Sequence, residues 1–435
     1  MSHLRGFRAY AVDPKWKDNL PFDGDLKLQH NKEKVPEDTG HFFEVISREN
    51  DVLLTASVED QIGRTKQGFL KNASRELCKL ISLGAYVAQP EPVLYVYTIE
   101  HGGKRVLGIL GDLDYQSYDN GTILPHEDTL ANRIDIIATI TQYSGVFNGF
   151  PIIFAPFQDK FKALLEGIIA ETVPLISIEK DNVRHTVYKT NPSQSQEILE
   201  YTSQIPETFI ADGHHRFKGF SKFIKSLTEE ERATHTPDVS FFPVLLVSED
   251  SLQIKKFHRV LQSLNGRSES QILASLSEAF IVSPIDLSDL DESRPDYYAQ
   301  VDQRVTPRTF GHFSFYFHES RRWISAVQKV KIQGNAVESL DIQYLADHFF
   351  RDILGIPDLG KCSTVSYYPS IIGGSQFITN LDTAKISILC NEISLDEVKD
   401  VARNNLRMPP KATLFYPKPL LGMLFKVHTR LHCGC

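Results

Sequence analysis

The chain has no long apolar run. Its longest apolar stretches, such as Phe241 to Val247, are strand-sized, far short of the roughly 20 residues of a bilayer-spanning helix, and no membrane association is expected. Cysteine is scarce. The five residues (Cys78, Cys362, Cys390, Cys433, Cys435) are odd in number and mostly far apart, which argues against a disulfide framework and for a reduced, cytoplasmic chain. Met1 is followed by charged and polar residues, without the basic-then-apolar pattern of a secretory leader. With 47 basic against 55 acidic residues and a net charge of −8, no stripe of Lys and Arg forms. No basic helix-turn-helix is found either, so no nucleic-acid partner is expected. Walker-type loops, the dinucleotide fingerprint and the Gly-x-Ser-x-Gly elbow are missing. Metal-type spacing is confined to Cys433-Gly434-Cys435 with His432 nearby, where a frayed tail is the ordinary state.

What remains is an ordinary globular composition. The 435 residues are 41% hydrophobic and 23% charged, enough for two or three domains or one large domain with insertions. Residues 1–50 are broken by Pro14, Pro21, Asp23-Gly24 and Pro36 and read as an irregular segment. Glu59 to Leu83 has helical spacing and Gly84 as its stop. Leu94 to Thr98 and Val106 to Leu113 flank a hairpin signal at His101-Gly102-Gly103. A helix is expected from about Thr129 through Thr139, and another where Phe217, Phe220, Phe223, Ile224 and Leu227 form one apolar stripe. Ser240 to Val247 and Leu252 to His258 read as a hairpin about a turn at 248–251. The acidic, weakly periodic stretch 286–307 is expected as a surface insertion or as the boundary between a core at 51–285 and a C-terminal α+β domain at 308–435, which holds a helix from Leu340 to Leu354. The fold class is mixed α/β with many hairpins.

Ile210-Ala211-Asp212-Gly213-His214-His215-Arg216 concentrates the chemistry. A strand ends at Ile210 and a helix follows. Asp212 is placed to cap that helix by accepting from amides two or three residues on. Gly213 allows a backbone conformation or close approach that a side chain would block. The amides that follow lie at the positive end of the helix dipole, which favours an anion. His214, His215 and Arg216 supply three further donors, and a guanidinium matches phosphate bidentately. The plainer alternative makes Asp212 a helix cap and the histidines half-buried helix starters.

This string resembles the signature of the family known as domain of unknown function 1015. Further matches come in the family's order. They are Tyr95-Val96-Tyr97, His126-Glu127 with Thr129, Ser339-Leu340-Asp341, Leu354-Gly355-Ile356, Gly373-Gly374, and Met408-Pro409-Pro410-Lys411-Ala412-Thr413 with Phe415 and Pro417-Lys418. The N-terminal part departs: Pro21-Phe22-Asp23 is a loose copy of the family's Pro-Tyr-Asp motif, and its Asn-Pro element is missing. The Asp-Gly-His-His-Arg box is also similar to the phosphate-binding box of the ParB-like superfamily. That superfamily includes CTP-binding partition proteins, sulfiredoxin and ADP-dependent free-serine kinases. The resemblance implies a ParB-like nucleotide-binding core with a hairpin-rich additional domain. It also implies phosphate ligation by Gly213, His214, His215 and Arg216.

Two other groups can contribute. Glu127 can act as general base if it reaches the reacting hydroxyl, or it belongs to a capping cluster with Asp128 and Thr129. Lys411, on a stiff proline-rich segment, is a second anion ligand or part of a surface turn. His258-Arg259 is expected as a surface pair at a sheet edge, the alternative being a turn into the same pocket, with Arg133 and Asp135 expected as an exposed ion pair and Asp341 as a helix cap. Together these features lead to the expectation of a nucleotide-using phosphotransferase or phosphohydrolase. Its cofactor is ADP or ATP, or CTP, with Mg²⁺, and its substrate a small hydroxyl-bearing metabolite such as serine or phosphoserine. Asp212, Glu127 and His215 are its catalytic candidates. The alternative is a nucleotide-dependent binding protein without significant turnover. The oligomeric state is left open.

Overall fold

The structure is a computed structural model that describes residues 4–17, 73–147, 149–235 and 238–428. Most of the expected irregular segment 1–50 lies outside these residues, as do Pro21-Phe22-Asp23, the first part of the helix expected over 59–83 and the His432–Cys435 tail. Residues 73–82 of that helix are helical, and Gly84 comes after it at φ 72°. Among the described residues no helix is long and apolar enough to cross a membrane.

The fold is mixed α/β. Two compact units share the chain. One comprises Met1–Pro125, Thr129–Leu252 and Pro417–Cys435, the other His126–Asp128 and Gln253–Tyr416.

In the first unit nine strands form one sheet. They are β1 (Leu4–Arg5), β2 (Tyr95–His101), β3 (Lys104–Asp114), β4 (Ile123–Leu124), β5 (Ile152–Ala155), β6 (Ile176–Lys180), β7 (Val183–Lys189), β8 (Thr208–Asp212) and β9 (Phe241–Ser248). Their order is β4-β8-β5-β9-β3-β2-β7-β6, with β1 also paired to β3. The hairpin of β2 and β3 turns at Gly102 and Gly103, both with positive φ, the backbone a two-residue primed turn requires. Four helices matter for the site: α1 (Ala131–Ser144), α2 (Asp159–Glu171), α3 (Pro192–Ser203) and α4 (His214–Ser226).

The apolar stripe of α4 does what its spacing dictates. Phe217, Phe220, Phe223 and Ile224 are buried in one cluster with Phe147 and Phe242. Ring centroids stand 5.2 Å apart for Phe217–Phe242, 5.3 Å for Phe220–Phe242 and 5.1 Å for Phe147–Phe220. Each buried ring contributes roughly 1.5–3 kcal/mol, so the helix is held by its core face and its first turn need not contribute to stability. On the neighbouring face Gly219 lets α1 approach, since a Cβ there would lie 2.5 Å from Ile137 Cγ2. The returning segment after Pro417 is anchored by Lys426, which is fully buried. Its ammonium donates to Asp112 Oδ2 at 2.5 Å, to Asp238 O at 3.0 Å and to Phe241 O at 2.7 Å.

One expected hairpin is absent. β9 does not pair with the segment after it, because both its edges are taken: β3 lies antiparallel on one side and β5 parallel on the other. A strand buried on both faces and paired on both edges reads as a continuous apolar run, and this one is followed by a crossing into the second unit after Leu252.

The second unit contains β10 (Gln253–Lys255), β11 (Phe257–Leu261), β12 (Phe280–Pro284), β13 (His312–Phe317), β14 (Arg322–Gln328), β15 (Val365–Pro369), β16 (Ile386–Leu389) and β17 (Leu414–Tyr416). Six of them form a sheet in the order β12-β14-β13-β16-β11-β15, and β10 pairs with β17. The stretch 286–307, expected as a boundary, lies inside this unit. Its apolar residues Leu287, Leu290, Tyr297, Val301 and Val305 pack into one cluster. Its acidic residues sit outside it, with Asp289 bound to Arg304. The helix expected over 340–354 is α-helical at Asp341–Tyr344 and π-helical over Leu345–Ile353, and Gly355 comes after it at φ 68°. Asp341 does not cap it. Its carboxylate instead accepts from the Gly311 amide at 3.4 Å and from Asn391 Nδ2 at 3.3 Å.

Candidate phosphate-binding turn

β8 ends in a bulge. Ile210 faces Ile153 and Asp212 faces Ile152, so Ala211 is an extra residue in the ladder. A bulge bends its strand and re-aims the residues after it. The next residue, Gly213, has φ 92° and ψ 25°, and it is the N-cap of α4. A Cβ on Gly213 would lie 3.0 Å from Pro151 Cα, so both the backbone conformation and the packing require glycine. The helix therefore starts one residue later than an Asp212 cap would place it, and no side chain caps it. Asp212 is engaged elsewhere: its Oδ1 accepts from Lys418 Nζ at 3.0 Å, with both side chains mostly buried.

Arg216 lies on the first turn of α4 and is half-buried. Its guanidinium lies against the backbone of Gly149, where a Cβ would stand 3.1 Å from Arg216 Nε and 2.7 Å from Leu421 Cδ2. Gly149 also has φ 68°, so a left-handed glycine before β5 makes the berth for this arginine. Gly149 and Lys418 are the site residues that sequence reasoning undervalued. The only local signals were a glycine just ahead of a strand and a lysine between Pro417 and Pro419.

The histidines differ from the three-donor expectation. His214 is buried, at 2% exposure. His215 Nε2 accepts from the Leu130 amide at 3.0 Å, so that nitrogen serves as an acceptor that holds the start of α1. Lys222, farther along the same helix, binds Asp135 of α1, a bond between helices.

The other expected site residues belong to the second unit. Glu127 is half-buried and forms a parallel bridge with Met408. Beside it His126 is buried, with Nε2 3.2 Å from Thr413 Oγ1. Lys411 is exposed at φ 54°, and its ammonium lies 5.3 Å from the Phe257 ring centroid. His258 and Arg259 are not a surface pair. Both are buried on β11, between β15 and β16. Arg259 donates to Phe257 O at 2.6 Å and to Lys411 O at 3.2 Å. Burial, with Lys256 and Arg259 nearby, pushes His258 down to about 3, so it is neutral at ordinary pH.

Comparison with known proteins decides the family. The model of the family described as protein of unknown function (DUF1015) matches residues 19–343. The chain belongs to that family. The match includes the N-terminal segment around Pro21-Phe22-Asp23 and the whole Asp212–Arg216 turn, and it ends before Lys411 and Lys418. No curated protein matches this DUF1015 chain in sequence. Among solved structures, free serine kinase in complex with AMP is 11% identical with a TM-score of 0.35, over 74% of this chain and 92% of that one. A variant of free serine kinase in complex with ADP is 10% identical with a TM-score of 0.34, over 74% and 92%. SbnI with C-terminal truncation, from Staphylococcus aureus, is 10% identical with a TM-score of 0.33, over 72% and 85%.

Proposed function

We propose that the Asp212–Arg216 turn binds the phosphate of a nucleotide, ADP or ATP before CTP. On this reading the protein is a phosphotransferase or phosphohydrolase acting on a small hydroxyl-bearing metabolite. One observation carries the reading. A 13-residue helix begins at a left-handed glycine with no capping side chain, and Arg216 is berthed beside that start. Backbone amides at a helix start and a guanidinium together match a phosphate. Gly149 and Gly213 support that arrangement from within, one taking Arg216 and Leu421 against its backbone and the other Pro151. Among the described residues no group of three or more His, Cys, Asp or Glu could hold a metal. Mg²⁺ is therefore proposed to arrive with the phosphates, as it commonly does. When bound, it would supply charge neutralisation.

Asp212 would orient the acceptor hydroxyl, and the resemblance of the box to free-serine kinases puts serine and phosphoserine first among the compounds to assay. Glu127 as base and Lys411 as anion ligand keep their sequence-based roles, to be tested by Glu127→Gln and Lys411→Ala. The Asp212–Lys418 ion pair favours a second reading, nucleotide binding without turnover, because the carboxylate at the turn is already engaged.

The test is a melting-temperature series with ADP, ATP, CTP, serine, phosphoserine and inorganic phosphate, with and without Mg²⁺, on the full chain and on Arg216→Ala. A ligand that binds the native state raises the melting temperature by mass action. A nucleotide shift lost in the variant, followed by phosphate transfer to serine, is expected. A shift without transfer to any acceptor selects the binding protein, and no shift with any compound rules out the nucleotide site.

A further inference from the structure

Asp212 puts a negative charge directly before the start of α4, where an anion would sit. A carboxylate there opposes anion binding, because like charges repel, and the repulsion is several times stronger where water is excluded than in bulk water. The structure answers this charge with Lys418, 206 positions away in sequence, at 3.0 Å from Asp212 Oδ1. The lysine is firmly presented. It lies between Pro417 and Pro419, and the residues after it are fixed in the first unit. The Leu420 amide donates to Tyr97 Oη at 3.3 Å, Tyr86 Oη donates to Gly422 O at 2.7 Å, and Leu421 packs against Gly149. Lys418 is 19% exposed and Asp212 29%, so the pair is partly shielded from solvent and from salt.

We propose that Lys418 sets the anion affinity of the turn by neutralising Asp212, and that it acts as a positioning and specificity residue and not as a phosphate ligand. This rests on the phosphate reading of the turn and adds a regulator to it. In the paired state the Asp212 charge is answered by Lys418, which favours a phosphate or diphosphate group at the helix start beside Arg216. Taking away the ammonium leaves a carboxylate in the anion's approach and lowers affinity. Taking away both charges restores it. A lysine that bonded phosphate directly would not be replaceable in this way.

The experiment is calorimetric titration of ADP and of inorganic pyrophosphate into the full chain and into Arg216→Ala, Lys418→Met, Lys418→Arg, Asp212→Asn and the Lys418→Met/Asp212→Asn double variant. The ligand-free melting temperature of each verifies folding. The expected result is a tenfold or greater loss of affinity in Lys418→Met, near-native affinity in Lys418→Arg, and recovery to within about threefold of native in the double variant, a coupling that the double-mutant cycle isolates. Loss in Lys418→Met without recovery in the double variant makes Lys418 a direct ligand and overturns neutralisation. Unchanged affinity in a folded Lys418→Met overturns any role in binding. If the unaltered chain binds neither probe, or binds equally well in Arg216→Ala, the phosphate reading itself fails. If Arg216→Ala loses binding while the Lys418 variants do not, only the neutralisation is lost.

Discussion

The chain contains the dipeptide His-Arg at two structurally prominent places, and they have opposite fates. His215-Arg216 opens a helix at a left-handed glycine, half-exposed, with the guanidinium berthed against a bare stretch of backbone. His258-Arg259 lies in mid-strand, with the arginine 2% exposed and its guanidinium spent on two carbonyl oxygens. Residue type therefore does not decide which pair can meet a ligand. The backbone does: a helix start presents donors outward, whereas β11 is paired on both edges and covered on both faces, so consecutive side chains are buried on opposite sides of the sheet.

The strongest way to break this contrast is Arg259→Ala. It leaves Phe257 O and Lys411 O without their donor inside the second unit, and an orphaned buried group costs about 1–3 kcal/mol. A loss of about 3 kcal/mol or more is expected from the urea midpoint, and a loss under 1 kcal/mol would make Arg259 no more structural than Arg216. Gly149→Ala comes next. Forcing a side chain into a left-handed conformation costs about 1–2 kcal/mol, and the added methyl meets Arg216, so nucleotide affinity should fall about tenfold along with stability. Unchanged affinity would mean the berth does not matter.

The pH dependence of the buried pair is smaller. His258 is held at about 3 when folded, below its ordinary value near 6.5. The unfolded chain then takes up more protons between those values. The stabilisation is complete above about pH 6.5 and is lost as pH falls toward 3, costing about 1 kcal/mol between pH 7 and 5.5. His258→Gln should flatten the urea midpoint over that range, and a profile as steep as the native one would remove His258 as its source. Arg216→Ala should change stability by less than about 0.5 kcal/mol even though ligand binding is lost. A large stability loss would collapse the contrast from the other side.

The parts legible in the sequence are those encoded locally. Gly102-Gly103, the stripe from Phe217 to Ile224 and the glycine at the head of α4 each act through their immediate neighbours, and each appears where expected. What escaped depends on distant partners. Asp212 looked like a cap because the sequence just after it offers amides, yet the lysine that it binds arrives from 206 residues away. The run 241–248 looked like half a hairpin because its true neighbours, β3 and β5, lie far earlier in the chain. His258-Arg259 looked exposed because charge usually is, and only tertiary pairing shows carbonyls at hand for the guanidinium.

The order in which the chain threads its two units has a consequence for synthesis. The residues from Gly149 to Arg216 have all been made once residue 252 is reached, but Lys418, the Leu421 that packs against Gly149 and the buried Lys426 come after the whole of 253–416. Domains tend to fold as units while the chain is still emerging, and here the earlier unit has to wait for its last segment. A nascent or prematurely ended chain thus carries the full Asp-Gly-His-His-Arg string with Asp212 not yet answered by Lys418. The ribosome delivers that ammonium only after the second unit has been translated, so the balance of charge at the turn also records that 253–416 has been made.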